Sequence, residues 1–132
     1  MVIVKTKEEV VGTPREIFAP NGHWISRRYL LAGEGMGFSF HETIILAGTK
    51  THIHYQNHLE AVFCVQGRGE VELIPSGERF LIEEGVMYAL DKHDEHYLSA
   101  SEEMRLICVF NPPLQGNEVH DEKGVYPLKK GQ

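Results

Sequence analysis

No stretch of this chain keeps an apolar repeat of 3.6 residues over three turns, and that absence constrains the fold more than any motif does. Short apolar runs are instead cut every few residues by turn residues: Gly67-Arg68-Gly69, Pro75-Ser76-Gly77, Glu83-Glu84-Gly85 and Asn111-Pro112-Pro113. Between them, strands are predicted at 38–47, 59–65, 70–74, 79–82, 86–90, 96–99 and 104–110. The first shows the period of two plainly: Phe38, Phe40, Ile44 and Leu46 fall on one face, and Ser39, His41, Thr43 and Ile45 on the other. The paired prolines end the last strand, because they remove ladder donors. Only residues 7–11, with Glu8-Glu9, have the makings of a helical turn. Many short strands at even spacing predict an all-β fold, a small antiparallel barrel or a double-sheet jelly roll.

The 132 residues suit one domain spanning 1–132, large enough to bury roughly two thirds of the unfolded chain's surface. A net charge of −6 argues against nucleic acid, whose phosphates select basic surfaces. No apolar run approaches a membrane span, and the first residues lack the apolar core and cleavage site of a signal peptide, so no membrane partner and a cytoplasmic location are expected. Cys64 and Cys108 sit in apolar strand-like runs and form no CxxC pair, which reads as buried free thiols in a reducing compartment.

The chemistry-bearing residues fall in two segments. The first runs from Gly48 through Thr51-His52-Ile53-His54-Tyr55 and Asn57-His58-Leu59 to Glu60, with Gly67 beyond it. The second runs from Gly85 through Tyr88 and Leu90-Asp91-Lys92-His93-Asp94 to His96. In a barrel, alternate residues of each strand point inward, so donors distant in sequence converge. Imidazole, carboxylate and phenolate donors together suit iron, manganese or zinc. Singly, each histidine reads as a surface residue beside a turn; the joint pattern points to a metal.

Gly48, His52, His54, Glu60 and Gly67 resemble the first motif of the cupin superfamily, and Gly85 with His96 resemble the second. Two departures stand out. Five residues separate His54 from Glu60, and Asp91 and His93 occupy places where cupins commonly carry Pro and Gly. The same departures resemble one cupin family, the ectoine synthases. Gly37-Phe38-Ser39-Phe40, Cys108-Val109-Phe110-Asn111-Pro112-Pro113-Leu114 and Glu118-Val119-His120 add to that likeness, which runs from about residue 1 to residue 128.

The resemblance implies a cupin-type jelly-roll barrel, its core over about 36–111, and a C-terminal segment, 112–132, that serves as an active-site lid. It implies a homodimer. It also implies a hydro-lyase that closes N4-acetyl-L-2,4-diaminobutanoate into the cyclic amidine L-ectoine, a compatible solute, with loss of water. By residue match the metal ligands are Glu60, Tyr88 and His96, holding Fe(II) or another divalent transition metal; His52, His54 and Glu60 form a rival set. Glu118 or His120 is the base that frees the attacking amine, and Thr43, Tyr55 and His58 stand with them as catalytic positions. Arg28 offers a fork for the substrate carboxylate. Trp24, His41, Thr43, Cys108, Phe110, Glu118 and His120 contact the substrate, and the family often carries Asn where this chain has His41. Two other readings remain in view: another metal cupin enzyme, such as a dioxygenase or sugar isomerase, and a non-catalytic cupin that senses a small molecule.

Overall fold

A computed structural model describes residues 2–128; Met1 and residues 129–132, the last of the 112–132 segment, lie outside the described residues. Eight strands follow one another: β1 (Glu16–Phe18), β2 (Trp24–Leu30), β3 (Ser39–Ile45), β4 (Lys50–Ile53), β5 (Leu59–Leu73), β6 (Arg79–Glu83), β7 (Met87–Leu90) and β8 (His96–Asn111). Two 3-10 turns, Lys7–Glu9 and Ala32–Glu34, are the helical elements, the first inside the stretch where a helical turn is expected. No described helix is long and apolar enough to cross a membrane.

The long strands β5 and β8 form the trunk. They pair antiparallel from Leu59↔Asn111 to Leu73↔His96, and each changes its outer neighbour half-way along. The first half of β5 carries β7 and its second half carries β6. The first half of β8 carries β4 and its second half β3, beyond which lie β2 and β1. Two antiparallel sheets therefore share the β5–β8 pair, the expected all-β jelly roll.

The bend between the sheets explains why two predicted turns are absent. Gly67-Arg68-Gly69 does not end a strand. It is a run of register shifts inside β5, between Cys64 and Gly69. A Cβ on Gly67 would collide with the Glu103 carbonyl, and one on Gly69 with the Ser99 carbonyl, so backbones meet there at a distance only glycine allows. The partner strand likewise runs through residues 100–103, joining two predicted strands into β8. At the other end, β1 and β2 join the sheet, so it begins at Glu16, well before residue 36.

The strand parity read from β3 holds, with an inversion of the usual preference. Ser39 and His41 are buried, while Phe40 and Glu42 on the opposite face are only half-buried. Over the outward face charges are paired across strands: Arg27 bridges Glu16 (3.1 Å) and Glu42 (2.9 Å), and Arg105 reaches Glu42 (3.4 Å). Arg15 forks onto both oxygens of Glu34 at 2.8 and 3.1 Å.

Candidate active site

The polar residues of the barrel interior gather on the sheet in which β2, β3, β7 and the first half of β5 flank the second half of β8. Strand alternation brings Trp24, Ser26 and Arg28 inward from β2, His41 and Thr43 from β3, Glu60 from β5, Tyr88 from β7, and Cys108 and Phe110 from β8. The segment after β8 closes over them. Leu114 is fully buried, its N–H donating to Ser39 Oγ at 3.1 Å and its carbonyl accepting from Ala32 N at 2.8 Å. Further on, Gly124 O accepts from His54 N at 2.7 Å and the Tyr126 carbonyl accepts from Asn57 Nδ2 at 2.9 Å.

These elements enclose a cavity of about 30 Å³ walled by Trp24, Thr43, Ile45, Ile53, Tyr55, Glu60, Tyr88, Leu98, Leu106, Cys108, Phe110, His120 and Tyr126. Eight of the sequence-predicted residues thus share one wall. Tyr55 Oη lies 2.9 Å from His120 Nε2, and the two rings are 5.4 Å apart. Tyr126 stacks on Tyr55 at 5.0 Å and lies 4.4 Å from the His120 ring. Sequence reasoning does not find Tyr126: it stands in Gly124-Val125-Tyr126-Pro127, with no strand period to mark it as inward.

Burial sets the protonation of this wall. It pushes the Glu60 carboxyl up to about 8, opposed only in part by a hydrogen bond with the Cys108 thiol. Tyr55 and Tyr88 are held well above the usual phenol range by burial first and by nearby groups, Glu60 among them, second. Cys108 rises for the same two reasons. Burial and the Arg28 charge press His120 down to about 3, so its imidazole is neutral at physiological pH.

Five buried ring nitrogens lack a hydrogen-bond partner among the described residues: His41 Nε2, both of His58, His96 Nε2 and His120 Nδ1. Such orphans are rare and call for an explanation. His96 is the most telling. Its Nδ1 donates to the Asp94 carbonyl at 2.9 Å, which fixes the tautomer and leaves a bare lone pair on Nε2. Among the described residues Glu60 is a buried carboxyl with no salt-bridge partner, beside the Tyr88 phenol. A buried carboxyl, a phenol and an imidazole turned lone pair outward fit the donor set of a metal. His96 is not part of the cavity wall itself; its ring lies 6.5 Å from that of Tyr55. The rival histidines are engaged elsewhere: His52 Nε2 meets Glu95 at 2.6 Å and His54 faces Gln56. Among the described residues no three His, Cys, Asp or Glu side chains cluster to hold an ion.

Arg28 and Glu118 pair with each other. Both side chains are fully buried, 3.8 Å from each other, and neither lines the cavity. Arg28 donates to Ser26 Oγ (3.1 Å), the Gly116 carbonyl (3.0 Å) and the Glu118 carbonyl (2.7 Å). The Glu118 carboxylate accepts from the N–H groups of Gln115 (2.7 Å) and Gly116 (2.8 Å). Instead of an open fork and an open carboxylate, the pair is a clasp that fixes the segment carrying His120. His41 and His58 flank Phe110 from behind, at 5.2 and 6.1 Å between rings, also off the wall.

The sequence matches the family model described as ectoine synthase over residues 1–130. The L-ectoine synthase of Wolinella succinogenes is 99% identical over 131 residues, 99% of this chain and 100% of that protein. The solved structure of ectoine synthase from P. lautus superposes with a TM-score of 0.85 at 52% identity, covering 99% of this chain and 96% of that one. An RmlC-like cupin from Shewanella frigidimarina superposes at a TM-score of 0.65 and 17% identity over 82% of this chain and 88% of its own, a likeness of fold alone.

Proposed function

The chain belongs to the ectoine synthase family and functions as an L-ectoine synthase; we propose that it acts as a hydro-lyase on N4-acetyl-L-2,4-diaminobutanoate, joining the α-amine to the acetyl carbonyl carbon and releasing the carbonyl oxygen as water. The observation that carries this reading is the Tyr55–His120 couple in an enclosed wall shared with Glu60 and Tyr88. Glu60, Tyr88 and His96 would hold Fe(II) or another divalent transition metal, which supplies Lewis acidity toward an amide oxygen when bound.

The chain's own residues meet the other demands. The amine attacks only when unprotonated. With Nε2–H donating to Tyr55 Oη, His120 keeps its lone pair on Nδ1, the unpartnered atom; with its pKa pressed to about 3, it relays the amine proton rather than storing it. Between ammonium and amidine the attacking nitrogen sheds two protons, and the Tyr55–His120 couple passes both to the departing oxygen, which leaves as water. Trp24, Phe110 and Tyr126 supply apolar walls that fold the flexible substrate into an attacking shape and keep water from the amidine. Thr43 and Cys108 are the small polar groups among them. Arg28 and Glu118 are positioning residues, holding the loop that presents His120. Residues 112–128 serve as the lid, because a space of about 30 Å³ holds little more than a water and the substrate needs the segment to move.

The homodimer is proposed on the outer face of β5 and β7, where Leu59, Phe63 and Met87 are exposed and Ala61 pairs with Ala89. Two free buried thiols accord with work in the cytoplasm, making a compatible solute.

Metal-stripped protein, given the substrate anaerobically with and without ferrous iron, is expected to convert it only with iron. The acetyl amide methyl would vanish from the NMR spectrum as the ring methyl appears. Folded, iron-loaded protein that leaves the substrate unchanged overturns this reading.

A further inference from the structure

A second recess lies directly outside the cavity. It has a volume of about 340 Å³, against about 30 Å³ within, and is itself in the size range of small-molecule sites. The two spaces share two residues, Trp24 and His120, whose rings meet edge-on at 5.4 Å. These rings are the partition between the groove and the chemistry.

With the segment after β8 closed, the groove is lined by groups of both signs. Its lining carries His23, Lys50 and His52 as well as Asp121 and Glu122; Lys50 reaches Glu72 at 3.7 Å and His52 Nε2 meets Glu95 at 2.6 Å, pairs that an incoming carboxylate would compete with. In this closed arrangement the acidic side rides on a tight turn. Asp121 closes a tight turn, with its N–H donating to the Val125 carbonyl (2.8 Å) and its Oδ1 accepting from Lys123 N (2.8 Å) and Val125 N (3.1 Å). Gly124 sits against β4 so closely that a Cβ would stand 2.5 Å from the His52 carbonyl oxygen. Among the basic residues, His23 Nδ1 meets the Thr51 hydroxyl at 2.8 Å. A zwitterionic amino acid carries an ammonium and a carboxylate a few bonds apart, the charge pattern this groove presents in reverse.

We propose that this groove is a capture site, where the zwitterionic amino acid binds before passing the Trp24–His120 partition and where the zwitterionic product pauses on leaving. The proposal rests on the synthase reading of the inner cavity. Capture outside a nearly filled cavity gives binding two stages, encounter in the groove and then transfer inward.

Trp24 is the single tryptophan and stands on the partition, so its fluorescence reports both stages. Mixing the iron-loaded protein with N4-acetyl-L-2,4-diaminobutanoate in a stopped-flow cell is expected to give a fast, concentration-dependent phase and then a slower, saturating one. Glu122→Cys places an exposed thiol in the groove, while the native Cys64 and Cys108 are buried. Labelling it with a bulky neutral maleimide should remove the fast phase and lower kcat/KM by about tenfold or more. The same label on Glu78→Cys, in the β5–β6 turn, should change neither. If labelled Glu122→Cys keeps the fast phase and a kcat/KM close to that of unlabelled protein, the capture site is wrong while the synthase reading stands. If unlabelled protein does not turn over, the synthase reading falls and this proposal with it.

Discussion

The two ends of the barrel are built by the same two strands and the same inward alternation, yet they differ in what they bury. Around the bend and the second half of β5, the interior is apolar: Cys64, Val71, Ile82, Ala100 and Met104, with at most a few per cent of their surface exposed. Around the first half of β5, and at the far end of the β5–β8 pair where His96 lies opposite Leu73, it holds Arg28, His41, His58, Glu60, His96 and Glu118, all buried, and the orphaned ring nitrogens are all among these or on the segment that follows β8. Each buried apolar side chain at the dry end stabilises the fold by about 1.5–3 kcal/mol. Each unpartnered polar group at the wet end costs about 1–3 kcal/mol. One end holds the molecule together so that the other can be kept in an unfavourable, reactive state.

Four experiments would break or sharpen that contrast. The largest effect is expected at the wet end, where Glu60→Ala should lower turnover by about a hundredfold or more and reduce bound iron, while circular dichroism stays unchanged. Retained iron with lost activity would instead make Glu60 a group that acts on substrate. At the dry end, Met104→Ala should cost about 2–5 kcal/mol in urea unfolding and leave kcat of the folded protein nearly untouched. A matching loss of kcat would mean that the two ends are not separable.

Acid should come third. His41, His58, His96 and His120 all have folded pKa values depressed by burial, His120 to about 3. Above about 6.5 they are neutral folded or unfolded and contribute nothing. Below it the unfolded chain takes up protons that the folded chain refuses, so stability falls with pH by up to about 1.4 kcal/mol per unit for each histidine. Glu60 acts in the opposite sense, since its folded pKa of about 8 lets the native state take up a proton as pH drops from 8. One carboxyl stands against four imidazoles, so the urea midpoint of metal-free protein should fall between pH 7 and pH 5, and His41→Asn should flatten that slope. The smallest effect belongs to the outer face: Glu42→Gln removes an acceptor shared by Arg27 and Arg105 and should change stability by no more than about 1 kcal/mol, less in high salt.

The same contrast decides what the amino-acid order reveals. Strands that bury apolar residues on one face, such as the first half of β5, where Val62 and Cys64 are buried between exposed Ala61 and Phe63, are legible from alternation. β2 is not, because its inward residues are Trp24, Ser26, Arg28 while Ile25 and Tyr29 face outward. β4 hides for a similar reason, in a Thr-His run. Gly67 and Gly69 read as a turn, since sequence does not tell a glycine that reverses the chain from one that lets another backbone pass. Tyr88 and Glu60 are found by family likeness and agree with strand parity. Arg28 and Glu118 are found as residues, but their use on backbone groups depends on where Gly116 comes to rest, which no local pattern encodes.

The β5–β8 pair has one more consequence, for the route by which the barrel forms. β8 is the hydrogen-bonded neighbour of β3, β4 and β5, so none of those strands finishes its ladder until residues 96–111 have found their register. Contacts such as His41↔Cys108 close long loops before they return any energy. Folding should then be slow, on the order of milliseconds to seconds, with a rate set by this late, long-range docking step. Substitutions along β8 that leave native contacts alone would show up first as a change in the refolding rate.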